Sequence, residues 1–493
     1  MPFRRLKKTL NIVIISMKHL PIILIICSIF LASCAKKVEP QKTNFIIFFT
    51  DDQGYNDLGC YGSPNIKTPH LDGMAQQGIK FTSFYAQPLC GPSRAALLTG
   101  SYPIRIAEPN NTKGFHTKLH PKEITIAEIL KTAGYQTACI GKWHAGEEPE
   151  QMPLKQGIDY YYGTPKYNGN TKLIEQSPHR SSVLRNNDTL MTINTVEEMG
   201  QLTKMYTGEA VNFIKQNKDK PFFLYLSHNM PHVPLGASEN FRGKSEGGFY
   251  GDVIEELDWS MGEVLKTLKE EGLEENTLVV FVSDNGPWIE EKIGDHAGSA
   301  FPLKGAKAQT WEGGVRVPCI MQWKGQIHEG VTNNELFTTM DFLPTFAEMA
   351  GAKLPQKLTI DGKSFKNVIL KNEKSKHDYF YYYAYTHLQA LRDKEWKLVL
   401  SREKEPGYMK WRGRKIDKVD EIQLFNLIND KEEQHNLADQ YPEKVKELMK
   451  LIEEGRKELG DNNRIGEGAR FFDDAPKTGR VDEYNEWKKN RKK

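Results

Sequence analysis

Apolar runs of six or seven residues recur along this chain, separated by stretches with helical spacing. Phe45–Thr50 is a short continuous apolar run, the pattern of a strand buried on both faces of a parallel sheet. Tyr135–Gly141, Phe222–Ser227 and Thr277–Ser283 repeat it, and Thr125–Ala133 and Tyr250–Glu271 read as helices. Strand and helix in alternation predict an α/β unit whose sheet is covered on both faces. From about residue 375 the pattern changes. Tyr379–Tyr385 and Trp396–Ser401 read as strands of a smaller sheet, and Pro442–Leu459 as a charged amphipathic helix. The predicted division is a main domain over 43–372, a small α+β domain over 373–460 and a solvated polar tail over 461–493. There is no internal repeat.

The polar residues fall where the apolar runs stop. Asp51-Asp52 follows the first strand, Lys142 and His144 the second, His228 and His232 the third, and Asp284-Asn285 the fourth. Ligands of open α/β sheets bind beyond the carboxyl ends of the strands. Any one of these clusters alone reads as a turn or a helix cap; four together predict an active site. Asp51, Asp52, Asp284 and Asn285 offer only oxygen, which suits a hard cation such as Ca²⁺ or Mg²⁺. No Cys/His spacing suggests structural zinc.

Cys90-Gly91-Pro92-Ser93-Arg94 is the sharpest motif. Pro92 suits the first turn of a helix, Ala95-Ala96-Leu97-Leu98 continues it and Gly100 can close it. Cys90 then stands at a helix N-terminus, where free N–H groups favour anions, and Arg94 follows one turn later. A cysteine in a helix cap, buried or disulfide-bonded, is the plainer alternative.

Composition narrows the class. The chain has 493 residues, 39% hydrophobic and 27% charged, and a mean hydropathy of −0.58, which excludes a polytopic membrane protein and a disordered chain. Six cysteines cannot form a disulfide scaffold in this length. Arg4, Arg5, Lys7, Lys8 and Lys18 precede the apolar run Leu20–Leu31, which is short for a bilayer and ends in Leu31-Ala32-Ser33-Cys34. Residues 1–33 therefore read as a secretory signal, with a membrane anchor as the alternative. Losing their five basic residues turns the formal charge of +3 into −2, and nothing suggests a nucleic-acid partner. The tetrapeptide resembles a bacterial lipobox, which implies a lipid anchor on Cys34 and an exported protein of the periplasm or cell envelope.

Cys90-Gly91-Pro92-Ser93-Arg94 with Leu97-Leu98-Thr99-Gly100 resembles the C-x-P-S-R motif of type I, formylglycine-dependent sulfatases. Other segments follow in family order: Asp51-Asp52-Gln53-Gly54-Tyr55, Gly141-Lys142-Trp143-His144, Pro231-His232-Val233-Pro234, Ser283-Asp284-Asn285-Gly286, and Lys307 ahead of Thr310-Trp311-Glu312-Gly313-Gly314. Leu424-Phe425-Asn426-Leu427 and Glu433-Gln434-His435-Asn436-Leu437 are similar to the family's C-terminal part. The resemblance implies an alkaline-phosphatase-like α/β sandwich with a central mixed sheet, plus a smaller C-terminal α+β domain. It implies oxidation of Cys90 to formylglycine by a separate maturation enzyme, and Ca²⁺ held by Asp51, Asp52, Asp284, Asn285 and the hydrated residue 90. One hydroxyl of that hydrate attacks the sulfur of a sulfate monoester, and loss of a proton from the other expels sulfate. Arg94 and Lys142 would orient the diol and His144 would be the base. His232 and Lys307 would bind sulfate, one of them protonating the leaving alcohol. Ala306 and Ala308 stand where the family often has glycines, which leaves the backbone path at Lys307 open.

Further candidates surround this set. Lys304, His228, Trp411 and Arg412 are candidates for binding a sulfated carbohydrate. The plainer alternatives are a surface charge for Lys304 and a solvated loop for Trp411 and Arg412, and His228 and His296 read sooner as structural or ligand-orienting histidines than as catalysts. Tyr160-Tyr161-Tyr162-Gly163-Thr164-Pro165 with Asn168-Gly169-Asn170 lies in a long insertion resembling those of bacterial polysaccharide sulfatases, where loops carry recognition. A galactose-type sugar is the expected substrate. Cys60, Cys139 and Cys319 read as small buried residues, with a Cys60–Cys139 bridge as the alternative. The competing functions are a formylglycine-type phosphonate or phosphodiester hydrolase and an inactive glycan-binding lipoprotein.

Overall fold

Successive side chains of the first strand, β1 (Asn44–Thr50), point to opposite faces of a sheet, and every one of them is buried. Phe45, Ile47 and Phe49 join one apolar core with Ala95 and Leu98 of the helix Cys90–Thr99 and with Phe342 and Phe346 of the helix Phe342–Ala350. Ile46 and Phe48 join another with Tyr206 of Leu202–Gln216 and with Leu257 and Met261 of Gly248–Glu270. Each such side chain contributes about 1.5–3 kcal/mol by leaving water, so a polar substitution at Phe48 would open the second core. The computed structural model describes residues 42–107, 118–168, 181–289, 298–402, 418–470 and 479–491.

The remaining strands of the main sheet are β2 (Ile79–Phe81), β4 (Gln136–Gly141), β5 (Tyr160–Gly163), β6 (Ser181–Arg185), β7 (Asp188–Ile193), β8 (Phe222–Ser227), β9 (Thr277–Ser283), β10 (Cys319–Gln322) and β11 (Val331–Asn333). Their order is β11-β2-β10-β9-β1-β8-β4-β5-β6-β7. The centre from β9 to β5 is parallel, and antiparallel pairs flank it on both sides. This is the alkaline-phosphatase-like mixed sheet with helices on both faces. A short pair, β3 (Phe84–Tyr85) with β12 (Phe337–Thr338), lies outside it.

A second, antiparallel sheet orders β13 (Phe380–Ala384), β14 (His387–Arg392), β15 (Trp396–Val399) and β16 (Gln423–Asn426) in sequence. Leu448 and Ile452 of the helix Pro442–Glu458 cover it, and Tyr85, Ala96, Tyr102 and Trp311 of the preceding region share the same core.

Two expectations need correction. Tyr160–Gly163 is a strand, β5, paired in parallel with β4, because an aromatic run packs well on a pleated surface. The stretch 461–493 is not simply solvated. Gly460–Asp461 and Arg464–Ile465 form a hairpin, Val481–Arg491 is helical with Val481 and Tyr484 buried, and Arg470 reaches a buried carboxylate. Segment 1–33 with Cys34, and also Gly169, Asn170, His296, Trp411 and Arg412, lie outside the described residues. Cys60, Cys90, Cys139 and Cys319 are all free thiols.

Candidate active site

The parallel strands β1, β4, β8 and β9 end side by side, and the residues just beyond them converge on the first turn of the helix Cys90–Thr99. That helix is capped by Gly100 in the left-handed conformation, φ 64°, and all ten of its residues are buried. Gly141, φ 112°, allows β4 to touch β8: a Cβ there would lie 1.8 Å from the Ser227 carbonyl oxygen. The next residue, Lys142, is thereby delivered inward, its N–H donating to Ser227 O at 2.6 Å.

Asp51, Cys90 and Asp284 form the innermost group. The Cys90 Sγ and one carboxylate oxygen from each aspartate lie within 4.8 Å of one another. Lys142 Nζ donates to Asp51 Oδ2 at 2.5 Å, and Arg94 Nη2 to Asp284 Oδ2 at 3.0 Å. Arg94 Nη1 also donates to the Lys142 carbonyl at 2.9 Å and to the Ser227 hydroxyl. Asp52 is placed beside this group. Lys307 Nζ lies 2.5 Å from its Oδ1, and Asn285 Nδ2 donates to Oδ1 at 2.8 Å. Asp52 and His144 both have positive φ, 68° and 54°, a backbone state that a crowded functional site holds and that ordinary sequence avoids.

Burial sets the charge states. It would raise the Asp51 carboxyl, but Lys142, His232 and Arg94 hold it well below the usual carboxylate range. Asp284 goes the other way: burial, then the Asp51 charge, push it up to about 8. Burial raises the Cys90 thiol against the opposing pull of Lys142 and Lys307, so it stays a protonated thiol. His232 is pushed down to about 3 by burial and by Lys307. Its Nδ1–H donates to the Val233 carbonyl at 2.5 Å, leaving a neutral ring with Nε2 3.7 Å from Asp52.

The donor set fits a divalent cation. Asp51 Oδ1 and Asn285 Oδ1 are buried without a hydrogen-bond partner, a rare state for acceptors and an apt one for hard-metal ligands. Once Asp284 gives up its proton to a cation, Asp51, Asp52 and Asp284 balance Arg94, Lys142 and Lys307, all buried. A divalent cation would leave positive charge in excess, which an anionic substrate needs.

The outer candidates separate. His228 packs as a core residue, apart from the site's charged groups. It is fully buried against Phe48 at 4.5 Å, close to Ser260, and burial pushes it down to about 3. Lys304 is exposed and lies over the Trp311 ring at 3.6 Å. Ala308 takes a left-handed φ of 71° where glycine would be unstrained, and its N–H donates to Pro88 O at 2.7 Å. Sequence patterning did not identify Ser227, Tyr167 or Trp288, which border the site; the aromatic-rich insertion is the only signal that pointed toward Tyr167.

Two family models match the chain: Sulfatase over residues 43–352, and N-sulphoglucosamine sulphohydrolase, C-terminal, over residues 306–459. Human (Homo sapiens) steryl-sulfatase is 34% identical over 440 residues, covering 73% of this chain and 75% of that protein. N-acetylgalactosamine-6-sulfatase of Mus musculus is 37% identical over 361 residues, covering 70% and 69%. Among solved structures, the PsFucS1 sulfatase from Pseudoalteromonas sp. has a TM-score of 0.75 at 30% identity, over 86% of this chain and 92% of its own. Ps i-CgsB in complex with k-i-k-neocarrahexaose has a TM-score of 0.72 at 29% identity, over 86% and 95%.

Proposed function

The chain belongs to the sulfatase family and is a sulfuric ester hydrolase, and from that premise we propose that it removes sulfate monoesters from a carbohydrate, with residue 90 converted to formylglycine and Ca²⁺ bound beside it. The observation that carries the reading is Cys90 itself. A buried, protonated thiol amid oxygen ligands is neither a good nucleophile nor a good partner for a hard cation. An aldehyde hydrate at that position would supply an oxygen nucleophile, and a bound cation would supply the Lewis acidity to lower its pKa. Asp51, Asp284 and Asn285, joined by Asp52, would hold the ion.

The chain's own groups then have distinct tasks. Arg94 and Lys142 fix the inner carboxylates and offset the charge of residue 90. Lys307 carries its proton firmly, since Asp52 and its acidic neighbours outweigh the burial that opposes it. It binds sulfate oxygens and is the group equipped to protonate the departing alcohol. The neutral His232 orients the ester, and His144 removes the proton that frees sulfate. Kinship with N-acetylgalactosamine-6-sulfatase and likeness to Ps i-CgsB, solved with k-i-k-neocarrahexaose, support a carbohydrate, with a galactose-type sugar as the first choice. The N-terminal 33 residues and Cys34 support export and lipid tethering.

Sulfate release from a panel of defined sulfated sugars, run beside a steroid sulfate, an aryl sulfate and a phosphate ester, tests the substrate class. Turnover of a sulfated sugar is expected. Cleavage of the steroid or phosphate ester alone would sink the carbohydrate reading. Peptide mass mapping of active enzyme should find an aldehyde at residue 90, and chelation should abolish activity that Ca²⁺ restores. Active protein bearing only a thiol there would remove the nucleophile from the account.

A further inference from the structure

Three groups around Cys90 share one aromatic neighbour. The ring of Tyr167 lies 5.1 Å from that of His144 and 5.6 Å from that of His232, centre to centre. The Lys142 ammonium stands 5.9 Å from its centre. A second ring, Trp288, meets His232 edge-on at 5.2 Å and takes Lys307 Nζ at 4.7 Å. The two rings differ in exposure. Trp288 is fully buried, whereas Tyr167 is half-buried at the rim of a site whose charged groups are enclosed.

The segment carrying Tyr167 is part of the wall of the site. Trp143 N–H donates to Thr164 O and His144 N–H to Pro165 O, both at 3.0 Å. The buried Asn168 side chain donates to the His232 carbonyl at 3.1 Å and accepts from Asn229 Nδ2 at 2.7 Å. The chain on both sides of Tyr167 is thus held to the segments that carry the two histidines.

We infer that Tyr167 is a substrate-positioning residue whose ring seats the pyranose that carries the scissile sulfate. The inference rests on the carbohydrate reading above. A pyranose presents polarised C–H groups on one face and hydroxyls at its edge. A tyrosine offers the matching surfaces, an electron-rich face and a polar tip. With only two side-chain torsions, it loses little freedom in being held. Two of its neighbours, His144 and His232, are the groups proposed to handle the ester, so a sugar resting on this ring has its sulfate directed at them.

Tyr167→Ala, Tyr167→Leu and Tyr167→Phe would be compared with wild type on the sulfated sugar turned over best, with inorganic sulfate as a competitive probe of the sulfate pocket alone. The Ala and Leu variants should raise KM by at least about fivefold, an amount typical of a lost aromatic contact. Phe should recover most of that loss, and inhibition by inorganic sulfate should be unchanged throughout. Should Ala fail to fold, the bulkier Leu variant decides. Unchanged KM in the Leu variant overturns the inference. So does a parallel loss of inorganic sulfate binding, which would make Tyr167 a support for the histidines. A wild type that cleaves an aryl sulfate and no sulfated sugar overturns the carbohydrate reading first, and this inference with it.

Discussion

Burial makes Asp284 an unusual carboxyl, one that keeps its proton up to about pH 8 because it is desolvated and sits beside the Asp51 charge. A cation takes the ionised form, so ion and proton compete for the same oxygens. Apparent affinity for Ca²⁺ should therefore fall as pH drops below about 8, approaching about tenfold per unit, with up to one proton released on binding. Calorimetry of chelator-stripped enzyme in two buffers of different ionisation enthalpy measures this; a heat independent of buffer would argue against Asp284 as a ligand. Lys307→Ala should slow poorly activated sugar sulfates more than an activated aryl sulfate, because protonating the leaving oxygen matters most for a poor leaving group. Equal losses on both would reduce Lys307 to a sulfate binder. Asp284 was legible because it directly follows a strand, whereas Lys307 follows none and was legible only through the family resemblance of its segment. His228 and His232 were not separable that way. They follow the same strand, and only the packing of His228 under Phe48 distinguishes a core ring from one facing the site.

Elements were readable wherever the chain repeats one period, as in β8 and β9, and less so where it does not. Tyr160–Gly163 passes for a loop because three tyrosines and a glycine lack a continuous aliphatic run, although aromatic enrichment is itself a strand signal. The segment around Lys307 has no periodicity at all, and its path depends on a contact with the small sheet. Lys397 of β15 donates to Thr310 O at 2.8 Å and lies 3.0 Å from Glu312 Oε1 and 2.7 Å from Glu433 Oε1, all fully enclosed. Burial would raise both glutamates. Lys397 and Arg316 hold Glu312 down to about 2, while Glu433 stays up at about 7. Lys397→Met would leave Glu433 without its cation and Glu312 with Arg316 alone in a dry interior, and should destabilise the protein by about 3 kcal/mol. Denaturant unfolding at neutral pH checks it. A loss under about 1 kcal/mol, the size of a surface pair, would mean that the glutamates simply take up protons.

At the scale of the whole molecule, polar composition past residue 460 conceals a tie between distant parts of the fold. Arg470 grips Glu123 with two bonds, 2.9 and 2.8 Å, and also reaches Thr359 O at 2.7 Å and Ser101 Oγ at 3.0 Å. Ser101 directly follows the cap of the helix that begins at Cys90, so this C-terminal residue braces the far end of the element bearing the reactive position. The Glu123 side chain is fully enclosed, and burial raises its carboxyl against the pull of Arg470. Arg470→Met leaves that charge without its partner and should cost about 3 kcal/mol at neutral pH. The sign of the pH dependence follows. In the variant the folded-state pKa of Glu123 rises further above its unfolded value, so the folded state binds the extra proton and stability falls as pH rises through that window. The deficit against wild type should therefore shrink toward pH values near about 4.5, where the unfolded carboxyl also begins to protonate. Glu123→Gln placed in the Arg470→Met background removes the unpaired charge and should recover most of the loss, with a flat pH profile. A double variant no more stable than Arg470→Met alone would show that the C-terminal stretch holds the fold through its backbone, by the hairpin and the 2.6 Å bond from Arg470 N–H to Arg105 O, and not through the buried charge.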